Sequence, residues 1–550
     1  IEERGLSFVA PDSKTLHQDI IIAKEDRGEA KPGQYVVAEI LQQPTKRRAP
    51  CAKVVDVLGD QLTPGMEVEL AIRAHDLPFE WPKAMDQALE SIEETISDED
   101  IKQRKDLRAL PLVTIDGADA KDFDDAVHCE IKEDGSYRLT VAIADPTTCL
   151  KEASDLTTLI ATRGTSHYFH GLAIPMLPEA LSQSAALRPQ EDKNALICSL
   201  RISIEGDITD SSIQLAVVQS KAKLSYQEVE KVLTDGAEHE FAEPLKHLND
   251  CFSALRAWRE SRELVIEHPP EHRWLLDEKK QIGRIEKVHK KGSQLLVEEC
   301  MVAANRCIAQ ALKDAGRPGP FVSHAGIRRD RAEEAKEFLT RFLPEHNALD
   351  FSTLNGFRTL INELNAASGE RPLRSMINRL MSRASFSVKP APHMGMALPV
   401  YTNGTSPLRK ALDFCVHLQL KAMLGDTSVK TAPATVFDLI NQASAKNRQA
   451  VTAANNWLSC NFLNAQSADG QSDYEAEIVH INTSGFTVKL KDLGLEGTVD
   501  LRREEEKFSF DKWEMALASK TRRYQLRQQI RVQYQPVEKP RGESASFCVI

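Results

Sequence analysis

The chain has 550 residues, 41% of them hydrophobic and 27% charged, a balance that excludes a mainly disordered protein and a length that calls for several hydrophobic cores. Its formal net charge of −11 excludes a uniformly basic nucleic-acid binder, so any grip on a polyanion must come from local patches. No apolar run approaches the roughly 18 residues that cross a bilayer, and the opening IEERGLSFVAP lacks a basic stretch followed by an apolar one, so neither a membrane span nor export is expected.

The start at Ile1 rather than Met is compatible with a longer natural chain. Residues 1–75 carry short β-like runs punctuated by Gly and Pro, such as Gly33-Gln-Tyr-Val-Val-Ala-Glu-Ile40, which predict a small barrel of a kind that often binds oligonucleotides. Within 76–110, Met85, Ala88, Leu89, Ile92 and Ile96 recur at helical spacing among acidic residues, predicting a connecting helix with a solvated acidic face. Near residue 111, Leu112, Val113 and Ile115 lead into an acidic stretch and open a large middle domain expected to run to 468. Asp134-Gly135 followed by alternating Tyr137, Leu139, Val141 and Ile143 predicts a hairpin whose second strand runs toward Ala144-Asp145-Pro146.

Between about 225 and 460 helical periods dominate, as in Leu295, Leu296, Glu299, Cys300, Ala303 and Ala304. From 469 to 550, Tyr474, Ala476 and Ile478 alternate, a turn follows at Asn482 to Gly485, and Phe486, Val488 and Leu490 alternate again, predicting a second small barrel. The expected class is α+β and multidomain, with small OB-type β-barrels at both ends of a large mixed α/β domain. Ten cysteines are scattered without a C-x-x-C pair, so neither a zinc site nor a disulfide framework is expected and a reducing cytoplasm suits the chain. The basic candidates are Lys46, Arg47 and Arg48, then His289, Lys290 and Lys291, and Arg522 with Arg523; each run also reads as a solvated loop.

The stretch from Thr114 to Ala126, TIDGADAKDFDDA, places five aspartates within ten positions between hydrophobic runs. Carboxylates drawn into a domain must be neutralised by protonation, basic partners or a cation. A site of aspartates without His or Cys suits magnesium, which takes oxygen ligands and binds through one or two carboxylates plus substrate phosphates. Such an ion can polarise a phosphoryl oxygen and activate water. Spacing alone leaves three readings open: metal-dependent phosphoryl chemistry, a calcium or structural ion, and a solvated acidic loop.

A second cluster, Tyr401-Thr-Asn-Gly-Thr-Ser-Pro-Leu-Arg-Lys410, offers Arg409 as a planar fork for a phosphate. The same residues also read as a helix start, with Ser406 as cap, Pro407 at the first helical position and Arg409 facing solvent.

Taken together, TIDGADAKDFDDAV, VAIADPT, TSHYFHGLAIPMLPE, LVEECMVAAN, PHMGMALPVYTNGTSPLRKALD and the closing barrel resemble the bacterial ribonuclease II and ribonuclease R family, in order and over essentially the whole chain. The resemblance implies a cold-shock-type barrel over 1–75, an RNB catalytic domain over 111–468 and an S1-type RNA-binding barrel over 469–550. It implies processive, magnesium-dependent 3′-to-5′ hydrolysis of single-stranded RNA to nucleoside 5′-monophosphates, with one or two Mg²⁺ ions, Mn²⁺ as a substitute, and no small-molecule cofactor. A monomer is the expected state.

Carried across by motif, Asp116, Asp122, Asp124 and Asp125 match the family's metal aspartates, with Asp122 and Asp124 at the chemistry beside Arg409, which matches the arginine near the scissile phosphate. Tyr168 matches an aromatic that stacks on the terminal base, Tyr226 a tyrosine tied to choosing RNA over DNA, and Glu298 a channel residue. Without the resemblance, Tyr168 reads as a half-buried core tyrosine and Glu298 as a helix-face acid. Departures are Ile266 in Leu264-Val-Ile-Glu267, where close members carry Phe opposite the stacking tyrosine; Val451 in place of an acid; Ala411 in place of a tyrosine; and one amino-terminal barrel rather than two. The alternatives kept open are a non-catalytic RNA-binding relative, an endonuclease, and a DNA-directed phosphodiesterase, the last disfavoured by Tyr226.

Overall fold

The computed structural model describes the chain except for residues 1, 4–5, 12–17, 46–47, 61–64, 84, 86–88, 90–95, 97, 151–153, 263–270, 368–371, 427–429, 538–539 and 541. The first unit holds strands β1 (Glu2–Glu3), β2 (Leu6–Val9), β3 (Ile20–Ile22), β4 (Gln34–Gln42) and β5 (Cys51–Asp60), paired in the order β1-β2-β3-β5-β4. Ile20, Ile22 and Ala52 form its small core, and β4 is the strand expected from Gly33 to Ile40. The helix Met66–Ala74 that follows buries Val68, Ala71 and Ile72 against Ala450 and Ala454 of the long helix Thr435–Ala468. That contact fastens the amino-terminal unit to the middle domain.

Of the predicted connecting helix, Met85 and Leu89 are helical, whereas Ala88 and Ile92 lie outside the described residues. A short helix, Asp98–Gln103, leads into β6 (Lys105–Asp106). With β7 (Val113–Asp116), β8 (Asp125–Ile131), β9 (Tyr137–Ala144), β12 (Asp192–Ile202), β13 (Ile208–Gln219) and β14 (Ala222–Ser225), it forms a seven-stranded sheet in the order β14-β7-β8-β9-β12-β13-β6. Between β9 and β12 stands a separate hairpin of β10 (His167–Phe169) and β11 (Leu172–Ile174). The predicted β8–β9 hairpin is present, with Gly135 at φ +78° in its turn.

Strand residues alternate between faces, and the two faces carry different sizes. Val127, Cys129, Leu139, Val141 and Ile143 pack on the helices Tyr226–Asp235, Ala242–Arg262 and Gly292–Asp314. Ala126, Ala142, Ala144 and Ala195 face the other way, toward the helix Ala411–Met423. Small side chains on that face let the helix approach closely, and the turn before it carries Arg409.

The helical half contains a hairpin that hydrophobic periodicity did not predict, β15 (Glu271–Leu276) with β16 (Ile282–Val288). Its side chains are mostly half-buried or exposed, so it lacks the clean apolar alternation of a core strand. A shorter pair, β17 (Phe321–Ser323) with β18 (Ser385–Ser387), also lies there. The carboxy-terminal unit is a closed barrel of β19 (Asp473–Asn482), β20 (Gly485–Leu490), β21 (Glu496–Asp500), β25 (Gln529–Gln535) and β26 (Ala545–Val549). A small sheet of β22 (Ser509–Asp511), β23 (Ala516–Ala518) and β24 (Arg523–Gln525) is inserted in it. At Gly485 a Cβ would stand 2.0 Å from the Val499 carbonyl oxygen, so the predicted turn requires glycine there. No helix among the described residues is long and apolar enough to cross a membrane.

The expected run toward Asp145 ends in a buried ionic knot. Arg104 Nη2 donates to Asp145 Oδ2 at 3.0 Å and Lys421 Nζ lies 3.4 Å from the same oxygen, joining the entry of the middle domain to the helix Ala411–Met423. Burial alone would raise this carboxyl, but Lys421 and Arg104 hold it well below the usual carboxylate range. Asp145→Asn would strand two buried cations, so a loss of about 3–5 kcal/mol is expected in the denaturant-induced unfolding of the middle domain; an unchanged midpoint would contradict it.

Candidate functional site

Antiparallel pairing puts the end of β7 and the start of β8 on one edge of the sheet, so Asp116 and Asp125 lie at the two feet of the loop 117–124. β14 runs parallel to β7 with Ser225 opposite Asp116, which delivers Tyr226 to the same edge as the first residue of its helix. Ser225 caps that helix: its Oγ accepts from Glu228 N at 3.2 Å, and Glu228 Oε2 accepts from Ser225 N at 2.7 Å. The loop is pinned by buried Phe123 and by Lys223 Nζ, which donates to the carbonyl oxygens of Ala118 and Ala120 at 2.9 and 3.0 Å.

Asp124 is the most tightly held of the aspartates. It is 4% exposed; Arg409 Nε donates to its Oδ2 at 2.8 Å and Leu408 N to its Oδ1 at 2.9 Å. Arg409 Nη2 also donates to Ser406 Oγ at 3.0 Å, while Ser406 N donates to Asp413 Oδ2 at 2.9 Å. The helix reading of this segment is thereby corrected: the helix begins at Ala411 with Lys410 in the N-cap place, and Ser406 to Arg409 form the turn before it. The turn exists because Asp413 and Asp124 both draw on its donors, and Arg409, though still partly exposed, is anchored on Asp124. Asp413 was not singled out in the sequence, although it stands one helical turn beyond Arg409.

The Arg409 carbonyl accepts from Ser166 N at 2.9 Å and from Thr165 Oγ1 at 2.8 Å, which brings the β10–β11 hairpin to the site. His167 and Phe169 point into the protein, so Tyr168 between them points out and is 58% exposed. The charges of Arg409, Asp124 and Asp122 all bear on its hydroxyl. The expectation of a half-buried core ring does not hold.

Burial, then the repulsion of Asp124, raises the Asp116 carboxyl from 3.8 to about 7, against the pull of Arg409 and Lys223. Burial raises Asp124 to about 6 despite Arg409. Asp125 is pushed well above its ordinary value by burial, then by Asp116 and Asp124. Asp122 is exposed on the loop; partial burial and Glu179 raise it, and Arg409 opposes. Burial, then Asp116 and Asp125, lifts the Tyr226 hydroxyl to about 12, so it stays protonated. The structure thus brings Asp116, Asp124, Asp125, Arg409, Tyr168 and Tyr226 to one place, with Asp122 at its rim.

Glu298 sits on the helix Gly292–Asp314, where it pairs with Lys290 Nζ at 3.1 Å. That helix is tied to the site through Ser293 Oγ, which donates to the Tyr226 carbonyl at 2.9 Å. Ile266 lies outside the described residues, as do Lys46 and Arg47. Two other basic candidates have acidic partners, Arg522 with Glu504 at 2.8 Å and Arg523 with Glu514 at 3.5 Å. Val451 packs beside the helix Met66–Ala74, and Ala411 is fully buried.

Among the described residues no three His, Cys, Asp or Glu side chains converge as a ready-made metal cage. Three crowded carboxylates facing chiefly one guanidinium nonetheless leave negative charge unbalanced, and an all-oxygen donor set suits a hard cation that keeps its waters and shares its shell with phosphate. The residues fit magnesium. Because the Asp116 and Asp124 carboxyls bind protons more tightly folded than unfolded, their contribution to metal-free stability is full below about pH 4 and is lost as pH rises toward 6 to 7. A cation competes with the same protons. Magnesium binding near pH 6 should therefore release protons, seen as a calorimetric heat that changes with the ionisation enthalpy of the buffer; a buffer-independent heat would show that these acids are not the ligands.

Residues 104–426 match the RNB domain family and residues 8–82 the cold shock domain family. Ribonuclease R of Vibrio parahaemolyticus is 33% identical over 521 residues, 91% of this chain and 62% of that protein. Ribonuclease R of Escherichia coli K12 is 32% identical over 90% of this chain and 63% of its own length, and exoribonuclease 2 of Erwinia tasmaniensis is 32% identical over 88% and 76%. The chain spans a little over three fifths of the ribonuclease R relatives. Mycoplasma genitalium RNase R, solved with ribose methylated single-stranded RNA, superposes with a TM-score of 0.84 at 19% identity over 99% of this chain and 89% of that one. Yeast Ssd1, a pseudonuclease, superposes at 0.68 with 18% identity over 94% and 66%. At those identities the superpositions establish the fold, and with the RNB match covering more than half its length, the chain belongs to the RNB domain family.

Proposed function

We propose that this chain is a magnesium-dependent 3′-to-5′ exoribonuclease that degrades single-stranded RNA processively to nucleoside 5′-monophosphates. The observation that carries the reading is the meeting of Asp116, Asp124 and Asp125 with Arg409 beside an outward-facing Tyr168. Asp116, Asp122, Asp124 and Asp125 would hold the ion, which when bound supplies Lewis-acid activation of the phosphoryl group and of water. Mn²⁺, also an oxygen-seeking ion, would substitute.

The chain's own residues do the rest. Arg409 stays charged: burial works against its guanidinium, but Asp124, with Tyr168 and Asp413, more than offsets it, and with its side chain 43% exposed it can meet the negative charge that develops on phosphorus oxygens. Its bonds to Asp124 and Ser406 fix the direction of the fork. Tyr168 offers a ring face to the terminal base. The neutral Tyr226 hydroxyl, at the same edge, suits contact with a ribose 2′-hydroxyl, a group DNA lacks. The five-stranded cold-shock-type sheet at one end and the closed barrel at the other are of a kind that holds single strands.

Tyr168→Ala should weaken binding of single-stranded RNA by about 1–3 kcal/mol, measured by fluorescence anisotropy in an inactive background; undiminished affinity would place the base elsewhere. The reading as a whole is tested with 5′-labelled single-stranded RNA, magnesium and a matched DNA. Progressive shortening from the 3′ end, with DNA spared, is expected. Internal cuts, or equal loss of DNA, would replace the proposal with an endonuclease or a general phosphodiesterase.

A further inference from the structure

Between the middle domain and the carboxy-terminal barrel lies a cavity of about 550 Å³ that shares no residue with the aspartate site. Arg328, Arg331 and Arg379 line one side; His480 and Asn482, at the end of β19, and Phe510 of β22 line the other. The arginines are incompletely neutralised. Arg331 Nη1 lies 3.1 Å from Glu334 Oε2, and Arg379 Nη2 shares the same carboxylate. Asp330 stands 3.8 Å from the Nε atoms of both Arg328 and Arg331, beyond hydrogen-bond reach, and its side chain is 70% exposed.

Among the described residues, three guanidinium groups therefore face two carboxylates. The Nε atoms of Arg328 and Arg379 are turned away from solvent and find no hydrogen-bond acceptor among the described residues. What stays open to the cavity is the rest of each planar fork: the side chains of Arg328, Arg331 and Arg379 are 41%, 46% and 27% exposed, and phosphate, with several acceptor oxygens, matches such a fork. The cavity is of ligand size, and Phe510 adds an aromatic surface of the kind bases stack on.

We propose that this cavity binds the phosphate group of a nucleotide, either free or within an RNA strand lying along the joint between the two units. Because Arg328 and Arg379 come from the middle domain and His480 from the barrel, occupancy links the two units.

The test uses the full chain carrying Asp124→Asn, so that RNA is not consumed, with Arg328→Gln and Arg379→Gln added singly and folding verified by circular dichroism. Arg328→Gln is the cleaner variant, because Arg379 also balances Glu334. One arm measures anisotropy of a long oligoadenylate across a salt series; the other measures calorimetric binding of AMP. If an RNA strand occupies the site, both variants bind the oligoadenylate at least about ten-fold more weakly, and the salt slope falls by about one. If a free nucleotide occupies it, the variants lose an AMP site and keep their RNA affinity. Unchanged binding in both arms overturns the proposal. Cleavage of a dinucleotide by Arg328→Gln in the chain with Asp124 intact should remain normal, which separates this site from the aspartates.

Discussion

Asp124→Asn should cut the rate of mononucleotide release by at least about 10²–10³-fold, the scale on which removal of one group that stabilises a transition state is felt, while RNA still binds. Asn has the shape of Asp but one acceptor oxygen fewer, whereas Asp124 accepts from both Arg409 Nε and Leu408 N. Whichever way the amide turns, its NH₂ group faces a donor, so the Arg409 fork loses its anchor. A negative charge is also removed from the set expected to hold magnesium. The effect should fall on kcat with little change in the dissociation constant for RNA, because Tyr168 and the two terminal units are untouched. A variant within ten-fold of the parent rate would remove Asp124 from the chemistry.

Arg409 should be nearly as sensitive. Arg409→Lys keeps the charge but puts a methylene where Nε stood and one nitrogen in place of the two that reach Asp124 and Ser406 at 2.8 and 3.0 Å. A loss of about 10²-fold in kcat is expected for Lys, and about 10³-fold for Gln, which abandons the charge as well. Because Ser166 N and Thr165 Oγ1 bond to the Arg409 carbonyl rather than to its side chain, the β10–β11 hairpin and Tyr168 should stay in place, leaving KM largely unaltered. If KM rose while kcat held, Arg409 would be a binding residue only.

What could be read from the sequence was local. The β8–β9 hairpin, the strand pair 473–490 and the helix around Ala303 each carry their period within a dozen or so residues. The aspartate stretch stood out because apolar runs flank it. Its partner could not be derived by spacing, since Arg409 lies 285 positions from Asp124, and only the family motifs placed the two together. Ser406 and Pro407 show the limit of local rules: they have a good helix-start pattern, yet Asp413 and Asp124 take the donors and delay the helix to Ala411. The β15–β16 hairpin went unseen because its two strands keep much surface in solvent. Lys223, which pins the loop 117–124, gives no signal outside the fold.

Fold does not decide turnover. Yeast Ssd1, a pseudonuclease, shares the architecture at a TM-score of 0.68, so the case for catalysis rests on the groups themselves. Here the three crowded aspartates and Arg409 are all present and in electrostatic contact.

The most direct measurement is identification of the first product from single-stranded RNA labelled in its 3′-terminal nucleotide, with magnesium present and the chain in excess. Release of a labelled nucleoside 5′-monophosphate, lost when magnesium is chelated and in Asp124→Asn, is predicted. A longer labelled fragment, a 3′-phosphorylated product, or intact RNA held by the unaltered chain would contradict it.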